Sequence, residues 1–185
     1  MGQKGEDTRR RLLDATQDLI ESGGYFGAGL NQVIASSGAP RGSLYFHFPH
    51  GKDQLVGESV DRAGQEITTL LHDLEADDTA DLVAKVLGLL GDRLEGSDWN
   101  KGCPVATVAL EMAASNDAMQ QVCSSTYSAW ERVLCERLTA DGHAHAAAMA
   151  TTILALIEGA LLLARVHRSR QPLASVSDTL AALLS

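Results

Sequence analysis

The 185-residue sequence is poor in aromatic residues, in cysteine and in positive charge, and each shortage excludes a class of protein. Aromatic side chains make up 4% of the residues, and no stretch alternates steadily between polar and apolar side chains, which disfavours β-sheet architectures. Three cysteines without a framework spacing exclude a disulfide scaffold. The first residues, up to Lys4, include no apolar signal stretch, so we expect a protein of the reducing cytoplasm.

Positive charge is scarce overall but is unevenly distributed. The chain has 15 Lys and Arg against 24 Asp and Glu, a formal net charge of −9. This balance excludes a uniformly basic nucleic-acid coat and a polybasic membrane anchor. Residues 1–52 carry six of the basic and five of the acidic side chains, so the deficit lies in the remainder. The distribution indicates two segments with different electrostatic roles.

Helix signals recur along the whole chain. Apolar residues repeat at three- and four-residue steps, and small or polar residues mark the breaks between these patterns. The pattern predicts about nine helices in an all-α fold. We expect the first to be capped by Asp7 or Thr8 and stopped at Gly24, and we expect Pro172 to belong to the last break.

Two short predicted helices, at residues 30–36 and 40–47, are separated by a turn that contains Gly38. This spacing is typical of a helix-turn-helix. Leu44 and Phe48 repeat at i, i+4 and are expected to pack inward, as are Phe26 and Phe46. The opposite side of the second helix carries side chains that can bond phosphates or base edges, which are Arg41, Ser43, Tyr45 and His47.

This segment resembles the DNA-binding region of the TetR family of one-component transcriptional regulators. The resemblance is carried by residues 8–56, and residues 37–45, 102–106 and 157–165 are similar to its LmrA/YxaF-like branch. It implies a helix-turn-helix domain over residues 1–51 and an effector-binding and dimerisation domain over residues 52–185. It also implies a homodimer that binds a pseudo-palindromic operator and is released by a small-molecule effector.

The resemblance also assigns DNA-facing residues by position. Those on or next to the two short helices are Asn31, Gln32, Arg41, Gly42, Ser43, Tyr45 and His47, with Lys52 at the start of the long helix that follows. Tyr45 has a second interpretation as a packing residue. Lys4, Arg9 and Arg10 are weaker candidates that would equally suit a solvated helix face. The family usually has Thr or Ser where Gly29 stands, so a hydroxyl helix cap is missing.

The second half contains the candidate effector-binding residues, which are Glu111, Met112, Tyr127, Trp130 and Glu158. Tyr127 and Trp130 are three residues apart and share a helix face. With nearby methionines they would suit a planar apolar effector, although any helical core uses the same residues. Glu111 and Glu158 lie inside apolar runs, where a carboxylate needs a partner or a proton. Each is interpreted either as an effector contact or as part of an internal ion pair, for instance with Arg165, or a water-bonded dimer contact. The second interpretation is preferred for Glu158, and both stay open for Glu111.

Residues 146–164 are apolar almost all round and reach membrane-spanning length. Glu158 lies in this run and would be costly in lipid, so we expect a buried packing helix and no membrane partner. The last two helices are predicted to form a four-helix dimer interface. We expect no cofactor, no metal site and no enzymatic activity, because no nucleophile is grouped with a base. The alternative function is a small-molecule-binding dimer without operator binding.

Overall fold

The computed structural model describes residues 3–185, and within them the chain forms nine α-helices and no strand. The predicted all-α fold is therefore confirmed. The helices are α1 (Gln3–Gly27), α2 (Leu30–Ser37), α3 (Arg41–His47), α4 (Lys52–Asp73), α5 (Thr79–Gly96), α6 (Pro104–Met112), α7 (Asp117–Ala140), α8 (Ala146–His167) and α9 (Gln171–Leu184).

Helix α1 differs from the prediction at both ends. It begins before Asp7, so neither Asp7 nor Thr8 is its cap. The Thr8 hydroxyl instead donates to the backbone oxygen of Lys4 at 2.9 Å, which is the bond that a threonine inside a helix commonly makes. At Gly24 the backbone turns to φ 67° and ψ −164°, and helical geometry then resumes. The predicted break is therefore a kink, at a φ that glycine adopts without strain.

Helices α1 to α3, the first part of α4, α6 and the start of α7 form one compact unit, up to Gly64 and from Pro104 to Ser125. Leu44 and Phe48 are fully buried in it, as their spacing predicts. Helix α6 lies against α1, and the Thr107 hydroxyl donates to the Ile20 backbone oxygen at 3.3 Å. The buried core of this unit includes Leu12, Leu13, Ala15, Val33, Ala39, Leu44, Phe48 and Leu55.

The turn regions around α2 depend on two glycines. Gly38 ends α2 in the left-handed region at φ 61°, which leads the chain into α3. Gly29 precedes α2 in an extended conformation and has no hydroxyl to offer as a cap. The Gln32 side chain takes over part of this task, since its Oε1 accepts the Gly29 N–H at 3.0 Å. The missing hydroxyl cap is thus partly replaced from within the helix.

The second unit comprises Gln65–Cys103 and Thr126–Ser185. Its core is aliphatic and is contributed mainly by α5, α7, α8 and α9. The Asp141 carboxylate accepts the backbone N–H of Thr79 at 2.7 Å and also its hydroxyl, which fixes the start of α5. Helix α9 begins before Pro172, so the expected break there is wrong. Proline is tolerated in the first helical turn because its missing N–H would have no partner there.

Helix α8 is 22 residues long, its most apolar 18-residue stretch has a mean hydropathy of 2.0, and among residues 3–185 it alone is long and apolar enough to span a membrane. Only 28% of its most apolar stretch is buried within the chain. The expectation of a buried packing helix is therefore wrong for one side of it. We define the exposed side as the α8 apolar surface, and it consists of Ala155, Gly159, Leu162, Leu163 and Val166.

Candidate nucleic-acid interface

The outer side of α3 contains five of the residues predicted to face DNA. Arg41 and Gly42 are exposed at its start, and Tyr45 is about half exposed one turn further on. Ser43 and, at the end of the helix, His47 are partly exposed. Because Leu44 and Phe48 bury the opposite side, α3 presents this polar surface outward while it stays attached to the core of its unit.

Phe26 and Phe46 were expected in the core, and this expectation is wrong. Phe46 is 71% exposed on α3, and Phe26 is 70% exposed just after the kink in α1. The inward positions of α3 are already filled by Leu44 and Phe48. The helical spacing contained this information, because Phe46 follows the exposed Gly42 by four residues and so shares its face.

Asn31 and Gln32 lie at the start of α2, and both are exposed. The Gln32 side chain is already engaged by the Gly29 N–H. It therefore organises the beginning of α2, in addition to any contact that it makes with a ligand. The Asn31 side chain is exposed beside it.

Lys52 begins α4 and is partly buried between aromatic rings and carboxylates. Its Nζ lies 4.2 Å from the centroid of the Tyr25 ring and 6.0 Å from that of Phe26, within range of cation–π attraction. Burial lowers the pKa of Lys52, and the charges of Asp53 and Glu111 offset part of this effect. The ammonium group is thus held in place by neighbouring side chains.

Tyr25 and Asp53 complete this environment. The Tyr25 hydroxyl donates to Asp53 Oδ1. Burial, together with the hydrogen bond and the charge of Asp53, raises the pKa of Tyr25 to about 12. The hydroxyl therefore keeps its proton, and its role as a donor, throughout the physiological pH range.

Among the weaker candidates, Arg9 and Arg10 each have a partner in the same unit. Arg9 forms an ion pair with Glu58, and its guanidinium carbon lies 5.3 Å from the Phe48 ring centroid. Arg10 pairs with Asp7 at 2.8 Å, and Lys4 is exposed. These contacts favour the helix-face interpretation for Arg9 and Arg10.

The candidate effector residues divide between the two units. Glu111 and Met112 belong to the first, and Tyr127, Trp130 and Glu158 belong to the second. Glu111 was expected to be a buried acid, but it is exposed, and its Oε2 accepts the Phe26 N–H at 3.2 Å. The apolar run around Glu111 therefore did not predict its exposure, because the side chain lies beside the α1 kink and not in the core.

In the second unit, the Tyr127 and Trp130 rings meet edge to face with centroids 5.4 Å apart, so the predicted shared face is confirmed. Trp130 is buried. Glu158 accepts hydrogen bonds from the Cys103 thiol and the Tyr127 hydroxyl. Burial raises the pKa of Glu158, and these two hydrogen bonds offset only part of the rise. Across residues 3–185, no group of three His, Cys, Asp or Glu side chains is placed to hold a metal ion.

Glu158→Gln is expected to raise the melting temperature at neutral pH. The pKa of Glu158 is higher in the folded chain than its ordinary value of 4.5, so folding favours the protonated carboxyl. The stabilisation that comes from the protonated carboxyl is complete at pH values below the pKa of Glu158 in the unfolded chain. It is lost as the pH rises through the pKa of Glu158 in the folded chain. Thermal unfolding between pH 4 and 8 should show a gain for glutamine that disappears at acidic pH. Glu136→Gln, at an exposed site on α7, is the control, and a gain independent of pH would contradict the prediction.

Comparison with known proteins agrees with this geometry. The family of bacterial regulatory proteins of the tetR type matches residues 12–58, and the LmrA/YxaF-like C-terminal domain of transcriptional regulators matches residues 79–179. The HTH-type transcriptional regulator LmrA of Bacillus subtilis is 35% identical over 182 residues, covering 96% of this chain and 97% of that protein. The uncharacterized regulator YxaF of the same organism is 30% identical, covering 96% and 95%.

The fold has close counterparts among solved structures. A TetR transcriptional regulator from Legionella pneumophila superposes with a TM-score of 0.86 at 20% identity, covering 100% of this chain and 98% of that one. The helix-turn-helix and the helical second part define a DNA-binding transcription regulator, which is not an enzyme. The chain belongs to the TetR family, in its LmrA/YxaF-like branch, as the motifs at residues 8–56 and beyond predicted.

Proposed function

We propose that this cytoplasmic regulator is a repressor that binds a two-fold symmetric operator as a homodimer and is released by a small-molecule effector. The observation that carries the proposal is the outer side of α3, where Arg41, Tyr45 and Phe46 are exposed over a buried Leu44. A helix of this kind reads base edges in the major groove, while phosphate contacts set its position. The contact residues proposed are Asn31, Gln32, Arg41, Gly42, Ser43, Tyr45, Phe46, His47 and Lys52.

The α8 apolar surface supports the homodimer. Leu162 is 57% exposed and Val166 is 67% exposed, and Leu183 of α9 is exposed as well. An exposed apolar helix face in a soluble regulator indicates a surface that another chain covers. Two copies of α8 and α9 would form a four-helix interface, which closes the assembly by two-fold symmetry.

The cluster of Tyr127, Trp130 and Glu158 supports effector binding in the second unit. It combines an aromatic pair with a carboxyl group whose pKa is raised by burial. Such a combination suits a small aromatic molecule that also carries a hydrogen-bond donor. Glu111 and Met112 belong to the first unit, and their assignment to the effector remains a prediction from the sequence. Effector binding would release DNA by favouring a conformation with lower operator affinity.

Selection of DNA fragments by the purified protein tests the proposal. We expect enrichment of a two-fold symmetric sequence with half-sites about one helical turn apart. Loss of enrichment on addition of a compound library would then identify effectors. Absence of any enriched sequence would contradict the proposal and favour the alternative, a small-molecule-binding dimer without operator binding.

A further inference from the structure

Asp53 is hydrogen-bonded from two sides. Its Oδ1 accepts the Tyr25 hydroxyl, and its Oδ2 accepts Asn116 Nδ2 at 2.9 Å. Tyr25 follows the kink of α1, Asp53 lies in the first turn of α4, and Asn116 immediately precedes α7. One carboxylate thus joins three segments that are distant along the chain.

Asn116 is held at both ends of its side-chain amide. Its Oδ1 accepts the Met119 N–H at 3.1 Å and so caps α7, while its Nδ2 donates to Asp53. The cap fixes the side-chain direction, since an amide that accepts with its oxygen presents its nitrogen on the other side. A shift of the first turn of α7 would therefore move the amide group that donates to Asp53.

Glu111 makes a second connection to the same region. Its Oε2 accepts the Phe26 N–H at 3.2 Å, and its carboxylate lies against Gly24. A Cβ at Gly24 would approach the Glu111 carboxyl carbon to 2.6 Å, so a larger residue at this position, where φ is 67°, would displace the carboxylate. The backbone that orients Tyr25 and Phe26 is thereby tied to α6.

Lys52 lies where these connections meet. The rings of Tyr25 and Phe26 lie beside its Nζ, and Asp53 and Glu111 supply the nearby negative charge. Since Tyr25 is fixed by Asp53 and Phe26 by Glu111, the position of the Lys52 ammonium depends on residues of α1, α6 and the start of α7.

We propose that Asn116, acting through Asp53 and Tyr25, is a positioning residue for Lys52, so that the α6–α7 turn controls a DNA contact without touching DNA. The inference rests on the proposed function, in which Lys52 binds an operator phosphate. It deepens that function by naming the side chains through which the start of α7 sets operator affinity.

Asn116→Asp tests this inference because aspartate keeps the helix cap but replaces the amide donor with a second carboxylate facing Asp53. We expect operator affinity to fall about tenfold, the order expected when a hydrogen bond to a charged group is lost, with a salt slope reduced by about one. In a Lys52→Ala background the same substitution should have no further effect. An equal loss in both backgrounds, or no loss, would overturn the inference.

A second measurement needs no DNA. The chain has four lysines, and the ε-methylene protons of Lys52 should be shifted upfield in NMR spectra because they lie near the Tyr25 ring. Asn116→Asp should move this signal and leave that of Lys85 unchanged. An unmoved Lys52 signal would overturn the inference even if the wild-type protein bound no operator, which separates its failure from that of the proposed function. Asn100→Asp adds the same charge in the second unit and serves as the control.

Discussion

Arg41→Ala is expected to lower operator affinity by about 1–3 kcal/mol and to relax the sequence preference at the bases that the side chain reads. Arg41 is exposed at the start of α3, so its removal should change the stability of the folded chain by no more than about 0.5 kcal/mol. Lys52→Ala should behave differently. It should weaken binding to all sequences alike and reduce the salt slope by about one, because a phosphate contact carries no base information.

Fluorescence anisotropy with selected and scrambled operators, at several salt concentrations, distinguishes these two outcomes. Arg132→Ala removes the same charge from an exposed position of α7 in the second unit and should bind both DNAs like the wild type. If Arg41→Ala and Lys52→Ala also bind like the wild type, the assignment of the α3 outer side and the α4 start to DNA is wrong.

The net negative charge of the chain explains why the loss of Arg41 or Lys52 should have a large effect on DNA binding. With a net charge of −9, no broad positive field attracts DNA, and operator binding depends on a few placed cations. One of them, Lys52, is itself accompanied by the carboxylates of Asp53 and Glu111. Non-specific affinity should therefore be low, and each remaining cation should account for a large share of specific affinity.

Local spacing was sufficient to predict the all-α fold and the inward positions of α3. Leu44 and Phe48 alternate with Arg41 and Tyr45 at helical intervals, so the buried and exposed sides of α3 follow from the sequence. Cap positions were less predictable. Pro172 suits a first helical turn as well as a break, and only packing of the neighbouring residues decides between them.

The connections around Lys52 could not be predicted, because they join residues far apart in the chain. Asn116 meets Asp53 across 63 positions, and Glu111 meets Phe26 across 85. Glu111 stands in an apolar run, which suggested burial, but the docking of α6 beside the α1 kink leaves it exposed. Contacts of this kind depend on how helices pack, and the spacing within one helix contains no information about them.

Leu162→Glu combined with Val166→Glu is expected to convert the protein into a folded monomer and to lower operator affinity by about 10²–10⁴-fold. Both side chains are largely exposed on α8, so the charges should disturb the isolated chain little. Across a two-fold interface each substitution occurs twice, which places four like charges in a surface that must exclude water. Light scattering gives the subunit number, and anisotropy gives the affinity.

A matched variant separates the interface from the added charge. Gly88→Glu with Leu89→Glu introduces the same two charges at exposed positions of α5 in the same unit and should remain dimeric with full operator affinity. If the α8 variant also stays dimeric, another surface pairs the subunits. If it is monomeric yet binds DNA like the wild type, one recognition helix is sufficient, and operator recognition does not require two-fold symmetry.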